Sequence, residues 1–273
     1  MVVLVLMVFG LCLGSFINAL VWRLHEQEKL TSKKKAKPAE LSILHGRSMC
    51  PKCKHILAAK DLVPVLSWAS LRGKCRYCQR PISWQYPVVE LITAGLFIFC
   101  WAFWPLPLNG IGLFEFIFWL VFVIGLVALA VYDLKWFLLP NRIVYTLIGL
   151  ALIQLLVVLV AYHGGVSALA SALWGALIVS GTFFVLFQVS GGKWIGGGDV
   201  SLGFLLGLLV GGPLNSILML FIASCTGTVL SLPFVIAGRA KRDTHLPFGP
   251  LLVMGAIVIR LFGVSINHWL TSR

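Results

Sequence analysis

Residues 112–132 read GLFEFIFWLVFVIGLVALAVY, and a single charged side chain, Glu115, interrupts them. An apolar run of this length is enough for a helix to cross the hydrocarbon core of a bilayer. The whole chain follows this pattern, and we predict eight helices, at residues 1–22, 87–104, 112–132, 143–162, 166–189, 200–211, 215–237 and 248–268. The sequence therefore predicts an all-α, polytopic membrane protein with about eight transmembrane helices.

The composition excludes a soluble globular protein. Of the 273 residues, 59% are hydrophobic and only 11% are charged, and the mean hydropathy is +0.97. Soluble domains carry about 25% charged residues, so this inventory cannot cover a water-exposed surface. The sixth predicted helix is short and has glycines at both ends, which indicates a tilted or broken helix.

The net charge of +13 is concentrated in alternate loops. Between Arg23 and Arg80 there are 14 Lys or Arg residues against four acids. Later basic residues fall in three short connections: Lys135 and Arg142, Lys193, and Arg239, Lys241 and Arg242. This alternation predicts cytoplasmic basic loops and an outside N-terminus. Topology thus explains the charge, and we predict no nucleic-acid partner. The polar stretch Glu26 to Glu40 is predicted to be flexible.

Four cysteines in the first basic loop form two CxxC pairs, Cys50 with Cys53 and Cys75 with Cys78. Two such turns can complete a tetrahedral site of four sulfurs, which favours a structural Zn²⁺. Iron fits the same geometry, and a redox role or disulfides are the alternatives, although the cytoplasm is reducing. His55 is a further possible ligand or a solvated loop residue.

Two acids, Asp133 and Asp199, are predicted at the cytoplasmic ends of helices. A carboxylate near the bilayer is costly and usually functional. Two carboxyl groups brought together in a low dielectric hold one proton between them, so one can activate water while the other protonates a carbonyl. Asp199 alone is also consistent with a helix N-cap, and Asp133 with an ion pair to Lys135 or Arg142.

Beyond these residues, an ordered series of motifs runs along nearly the whole chain. It comprises GSFIN at 14–18, GRSMCPKC at 46–53, LRGKCRYC at 71–78, YPVVEL at 86–91, Asp133 seven residues before Pro140, GGGDV at 196–200 and PFGP at 247–250. In this series the sequence resembles the bacterial type IV prepilin peptidases, which are intramembrane aspartyl proteases of the GxGD type.

The resemblance implies an enzyme that removes short leader peptides from type IV prepilin or pseudopilin precursors, with Asp133 and Asp199 as the catalytic pair. It also implies N-methylation of the new N-terminal residue with S-adenosylmethionine, for which Gly14, Asn18 and Glu90 are candidates by position. PFGP at 247–250 offers backbone groups that can align an extended substrate strand, or it simply starts a helix. The expected location is the bacterial cytoplasmic membrane, with the active site facing the cytoplasm.

The predicted organisation is a first transmembrane helix at 1–22, a cytoplasmic loop with the four-cysteine zinc site at 23–86, and a seven-helix peptidase domain at 87–273. The expected partners are the precursor proteins and the lipid bilayer. Two rival hypotheses remain. One is a transporter or channel with Asp133 and Asp199 as its ion site, and the other is a non-catalytic assembly scaffold whose cysteine loop binds a partner.

Overall fold

The computed structural model describes residues 1–33, 39–43, 45–161, 166–236 and 247–272. Its helices are α1 Val2–Ser32, α2 Leu66–Ser70, α3 Gln85–Ala102, α4 Gly110–Trp136, α5 Asn141–Ala161, α6 Val166–Ser190, α7 Gly197–Val210, α8 Pro213–Ile236 and α9 Gly249–Thr271. Within these ranges there is no β-strand, only isolated bridges. All helices but α2 and α7 are long and apolar enough to cross a bilayer, which makes seven. The predicted all-helical membrane architecture is confirmed.

The predicted short helix is α7, whose 14 residues correspond to about 21 Å. This is less than the ~30 Å of a bilayer core. Gly196 precedes α7 in an extended conformation, and Gly211 ends it with a φ of 62°, a conformation that favours glycine. Gly211 therefore sets the C-terminal end of α7.

The first helix is longer than its predicted span of 1–22, and the expectation that the chain is flexible from Glu26 onward is wrong up to Ser32. The helix continues because buried side chains beyond the span hold a later segment. Arg23 donates to the carbonyls of Ser42, Ile43 and Gly46, and Gln27 donates to that of Leu41. The rest of the polar stretch lies mostly outside the described residues, as do Arg239, Lys241 and Arg242.

The chain forms two compact units, Met1–Ala102 and Phe103–Arg273. In the first unit, α1 and α3 pack closely through two glycines four residues apart. A Cβ on Gly10 would lie 2.5 Å from the Ala94 Cα, and a Cβ on Gly14 would lie 2.6 Å from the Glu90 Cα. Small residues at this spacing let membrane helices approach backbone to backbone. The crossing of α1 and α3 is set by Gly10 and Gly14.

In the second unit, α9 contacts α4, α7 and α8, and α5 lies beside α4 and α7. The most apolar stretches of α4 and α9 are each 56% buried, against 17% for α5. Helices α6 and α7 pack through Gly207, where an added Cβ would lie 2.5 Å from the Ala176 Cα. Eight of the 14 residues of α7 are also buried, so α4, α7 and α9 form the centre of this unit.

A buried ion pair joins α4 to α9. An Arg260 Nη2 lies 2.6 Å from a Glu115 Oε2, and the guanidinium lies 5.1 Å from the Trp104 ring and 5.9 Å from the Trp119 ring. Either charge alone would be costly at membrane depth, and the pairing and the aromatic faces offset that cost. Sequence analysis missed this pair because the two residues are far apart in the chain.

Replacing Gly207 with Ala should destabilise the second unit, because the methyl group forces the backbones of α6 and α7 apart. We expect the free energy of unfolding to fall by about 1–3 kcal/mol. The matched control is Gly181→Ala on α6, where an added Cβ meets nothing within 4 Å. Thermal unfolding in detergent should show a lower midpoint for Gly207→Ala alone; equal midpoints for the two variants would contradict the close packing.

Candidate functional site

The two CxxC segments fold into turns with the same backbone pattern. The Cys50 N–H donates to the His55 carbonyl, and the Lys54 N–H donates to the Cys50 carbonyl. The same two bonds recur in the second turn, between Cys75 and Arg80 and between Gln79 and Cys75. Lys54 and Gln79 both have left-handed backbones, with φ of 60° and 55°. Each turn therefore presents its pair of sulfurs by local bonding alone.

The four sulfurs converge on one point. All four Sγ atoms lie within 4.8 Å of one another, and those of Cys50 and Cys78 are 3.9 Å apart. Metal–sulfur bonds of about 2.3 Å in a tetrahedron require sulfurs about 3.8 Å apart. The residues thus fit a four-coordinate metal, and the cluster can hold a metal ion. His55 is not part of it and stacks on Tyr77 at 3.7 Å between ring centroids.

The thiols do not ionise equally. Burial disfavours the Cys50 thiolate, but backbone N–H groups of Cys53 and Lys52 outweigh it and lower the pKa of Cys50 to about 7. At Cys78 the backbone N–H of Arg80 favours the thiolate, whereas burial and the neighbouring sulfurs raise the pKa to about 11. Full ionisation of the cluster is therefore opposed by repulsion, which a bound cation relieves.

Asp61 fixes the second cysteine turn from outside the cluster. Its Oδ1 accepts from the Arg76 Nε at 2.7 Å and its Oδ2 from the Tyr77 hydroxyl at 3.0 Å. Burial raises the pKa of Asp61, but these hydrogen bonds outweigh it and hold the pKa below its usual range. Both partners lie between Cys75 and Cys78, so the bonds hold that turn in place. Sequence analysis did not predict this role for Asp61. The available signal was an acidic residue lying in sequence between the two CxxC pairs.

Gly14, Asn18 and Glu90 meet where α1 crosses α3. Gly14 lies against the Glu90 backbone, while the Asn18 Nδ2 donates to the Gly14 carbonyl at 3.2 Å and to the Tyr86 carbonyl at 3.1 Å. Glu90 accepts from the Val65 N–H at 2.7 Å and is 5% exposed. The structure brings the three residues together, but their polar atoms bond within the protein, so they do not offer an open surface to a cofactor.

In the second unit, Asp133 lies in the last turn of α4. The helix ends at Phe137, whose left-handed backbone donates its N–H to the Asp133 carbonyl at 2.8 Å. The side chain is 6% exposed, and its Oδ2 accepts from the Gly249 N–H at 3.0 Å. A Cβ on Gly249 would lie 2.7 Å from this oxygen. A side chain at position 249 would therefore displace the Asp133 carboxyl group from this position.

Asp199 is the third residue of α7. Its Oδ2 accepts a hydrogen bond from the Gly196 N–H at 3.1 Å. Asp199 thus caps the helix from the third helical position, and Gly196 is the N-cap residue. The adjacent Gly198 packs on the connection that follows α4, where an added Cβ would lie 2.9 Å from the Leu139 Cβ. This contact places the start of α7 beside the connection that follows α4, six residues after Asp133.

Asp133 and Asp199 thus lie at one end of the second unit, close enough for the charge of Asp199 to act on Asp133. One oxygen of each carboxyl group is held by a glycine N–H. Within the described ranges, the other oxygen of each carboxyl group has no hydrogen bond to the protein. The sequence suggested backbone groups near Gly249 for a substrate strand; here the Gly249 N–H binds Asp133 instead.

Comparisons with known proteins cover the same regions. Residues 8–104 match the model of the bacterial peptidase A24 N-terminal domain, and residues 120–232 match the type IV leader peptidase family. The chain is 33% identical to a prepilin leader peptidase/N-methyltransferase of Bacillus subtilis, over 96% of this chain and 95% of that protein. It is 31% identical to a protein of the same name from Stutzerimonas stutzeri, over 97% and 92%.

A further relative is the type 4 prepilin-like proteins leader peptide-processing enzyme of Escherichia coli, at 32% identity over 91% of this chain and 89% of that protein. No solved structure matches the chain. Since two family models together match most of the chain and several relatives align with it nearly from end to end, the protein belongs to the type IV leader peptidase family.

Proposed function

We propose that the protein is a membrane aspartyl endopeptidase that cleaves short leader peptides from type IV prepilin or pseudopilin precursors. The observation that carries this proposal is that Asp133 and Asp199 lie at the same end of the second unit, where Gly198 packs on Leu139, each with one carboxylate oxygen held by a glycine N–H. The names of the relatives supply the substrate class. We assign the peptidase reaction to the helical region 87–273.

The chemistry follows from two carboxyl groups that share one proton. The ionised carboxylate accepts a proton from water as the water oxygen attacks the scissile carbonyl. The protonated carboxyl donates its proton to the carbonyl oxygen. Collapse of the tetrahedral intermediate breaks the C–N bond, and the leaving amine takes up a proton from the pair. The Gly249 and Gly196 N–H groups keep both carboxyl groups in position during these steps.

The active site faces the cytoplasm in this proposal, and the protein lies in the bacterial inner membrane. Lys135 follows Asp133 by two residues and Lys193 precedes Asp199 by six, so basic residues mark the end of the unit where the carboxyl groups lie. A precursor with a basic leader and an apolar helix would place its scissile bond at this membrane surface. The N-terminus is then outside.

Asp133→Asn and Asp199→Asn should each reduce leader cleavage by at least about a hundredfold, because the amide cannot exchange protons with water or substrate. Purified protein in detergent and a candidate precursor provide the assay. The control is Glu26→Gln, a half-buried acid on α1 that pairs with Lys29. Cleavage by both Asn variants at the wild-type rate would exclude the aspartyl mechanism and leave the scaffold hypothesis.

Gly249→Ala should reduce cleavage by about a hundredfold, because a displacement of the order of 1 Å in a catalytic group costs this much. Its methyl group would come within 2.7 Å of the Asp133 Oδ2 and move the carboxylate. Gly149→Ala on α5, where an added Cβ meets nothing within 4 Å, is the control. Turnover should fall while the thermal unfolding midpoint changes little; unchanged turnover would show that the Gly249 contact does not position Asp133.

We also propose that the four-cysteine cluster holds Zn²⁺. When bound, the ion would link the two cysteine turns and stabilise the segment between α1 and α3. Four thiolates match the ligand preference of zinc, and the sulfur separations match its bond lengths. The ion takes no part in the peptidase steps.

Cys50→Ser and Cys75→Ser should each abolish zinc binding, since three sulfurs and a hydroxyl form a poor tetrahedral site. Elemental analysis of the purified protein should find about one zinc per chain in the wild type, as one four-sulfur site requires. Cys225→Ser, on the exposed side of α8, should retain it. Equal zinc in all three variants would place the metal elsewhere.

We further infer that the chain methylates the new N-terminus with S-adenosylmethionine. The names of its relatives support the reaction class, since they include N-methyltransferase. Gly14, Asn18 and Glu90 are the candidate residues. Because they are buried and engaged within the protein, they would act by holding the surrounding segments in position. Glu90 in particular binds the turn at Val65.

A further inference from the structure

An unusual turn at Val65 lies beside the membrane helix α3. Val65 has φ 59° and ψ −49°, and the Leu66 N–H donates to the Pro64 carbonyl at 2.5 Å. This is a classic γ-turn, the rarer and more strained of the two γ-turn types. Its positive φ is strongly unfavourable for a β-branched residue such as valine. The turn is held because the Val65 N–H donates to the Glu90 Oε2 at 2.7 Å. Glu90 therefore fixes the position of this turn along α3.

The position of Glu90 gives the depth of the turn. The 18 residues of α3 correspond to about 27 Å, slightly less than the ~30 Å hydrocarbon core, so its full length is needed to cross the bilayer. Glu90 is the sixth residue of α3 and lies about 7.5 Å along the axis from Gln85. The turn at Val65 thus lies below the membrane surface at which α3 enters.

The side chains around this turn are apolar and exposed. Leu62 is 39% exposed, Val63 is 42% exposed and Leu66 is 68% exposed. Trp84, immediately before α3, is 69% exposed and stacks on Trp68 at 4.1 Å between centroids. Tryptophan at this position is typical of a membrane–water interface. These side chains are unsuited to water but suited to lipid.

The segment is flanked in sequence by positive charge, and α3 itself carries exposed apolar side chains. Val88 and Leu91, on the first turns of α3, are 45% and 55% exposed. Lys60 and Arg72 lie on either side of the segment in sequence and are exposed. Apolar side chains between basic residues match the boundary of acyl chains and phosphate headgroups.

We propose that residues 62–66, together with Trp84, form an interfacial membrane anchor that inserts Leu62, Val63 and Leu66 into the leaflet that α3 enters. The occupant of this surface is phospholipid. The anchor sets the height of the four-cysteine cluster above the bilayer, because α2 and the second cysteine turn follow directly from it. It is independent of the peptidase reaction proposed above.

The test uses full-length protein in nanodiscs of phosphatidylethanolamine and phosphatidylglycerol. A photo-cross-linking amino acid, p-benzoylphenylalanine, replaces Leu66 in one variant and Leu62 in a second, so that one misfolded variant does not decide the result. The control carries it at Lys52, which is exposed on the first cysteine turn. After irradiation, mass spectrometry identifies the adducts.

We expect at least about tenfold more lipid adduct at positions 62 and 66 than at position 52, because only an inserted side chain contacts acyl chains. The proposal is overturned if positions 62 and 66 cross-link to residues 103–273 of the same chain or to a second copy. It is also overturned if neither position forms a lipid adduct. Cleavage activity plays no part in the readout, so failure of the anchor and failure of the peptidase assignment are separate outcomes.

Discussion

The hydrogen bond from the Gly249 N–H to Asp133 is the interaction on which the arrangement of the second unit depends. A carboxylate at the end of a buried membrane helix needs a donor, because lipid supplies none. A backbone N–H at the start of another helix meets that need without adding a second charge. A residue without a side chain at position 249 leaves room for the carboxyl group, and the bond holds the start of α9 against the end of α4. The Glu115–Arg260 pair joins the same two helices at a second level.

In both units, glycines allow the backbones of neighbouring helices to pack in direct contact. Gly10 and Gly14 bring α1 onto α3, and Gly207 brings α7 onto α6. In lipid there is little hydrophobic gain from helix association, so tight packing and hydrogen bonds have to supply it. The same constraint applies to the short α7. Gly198 lets its first turn pack on Leu139 after α4, so α7 carries Asp199 next to the α4 terminus without having to span the bilayer.

The sequence predicts the parts of the structure that composition and spacing determine. The long apolar runs predict the helices, and the CxxC spacing predicts the sulfur cluster. It does not predict contacts that depend on the assembled fold. The extension of α1 rests on Arg23 and Gln27 reaching a later loop, and the turn at Val65 rests on Glu90. Apart from the family resemblance, only their shared membrane level pairs Asp133 with Asp199 in the sequence. The contact of Gly198 with Leu139 is not predictable from the sequence, which shows only that residue 198 is a glycine.

The repeated backbone pattern of the two cysteine turns has a consequence for the order in which that region forms. Each turn is closed by bonds spanning four or five residues, so each can form early and independently of the other. What remains is the closure of the 21-residue segment between them, and its entropic cost grows only slowly with length. A metal ion captured first by one pair of sulfurs would then act as the nucleus that recruits the second, so assembly of this region would proceed in two kinetic stages.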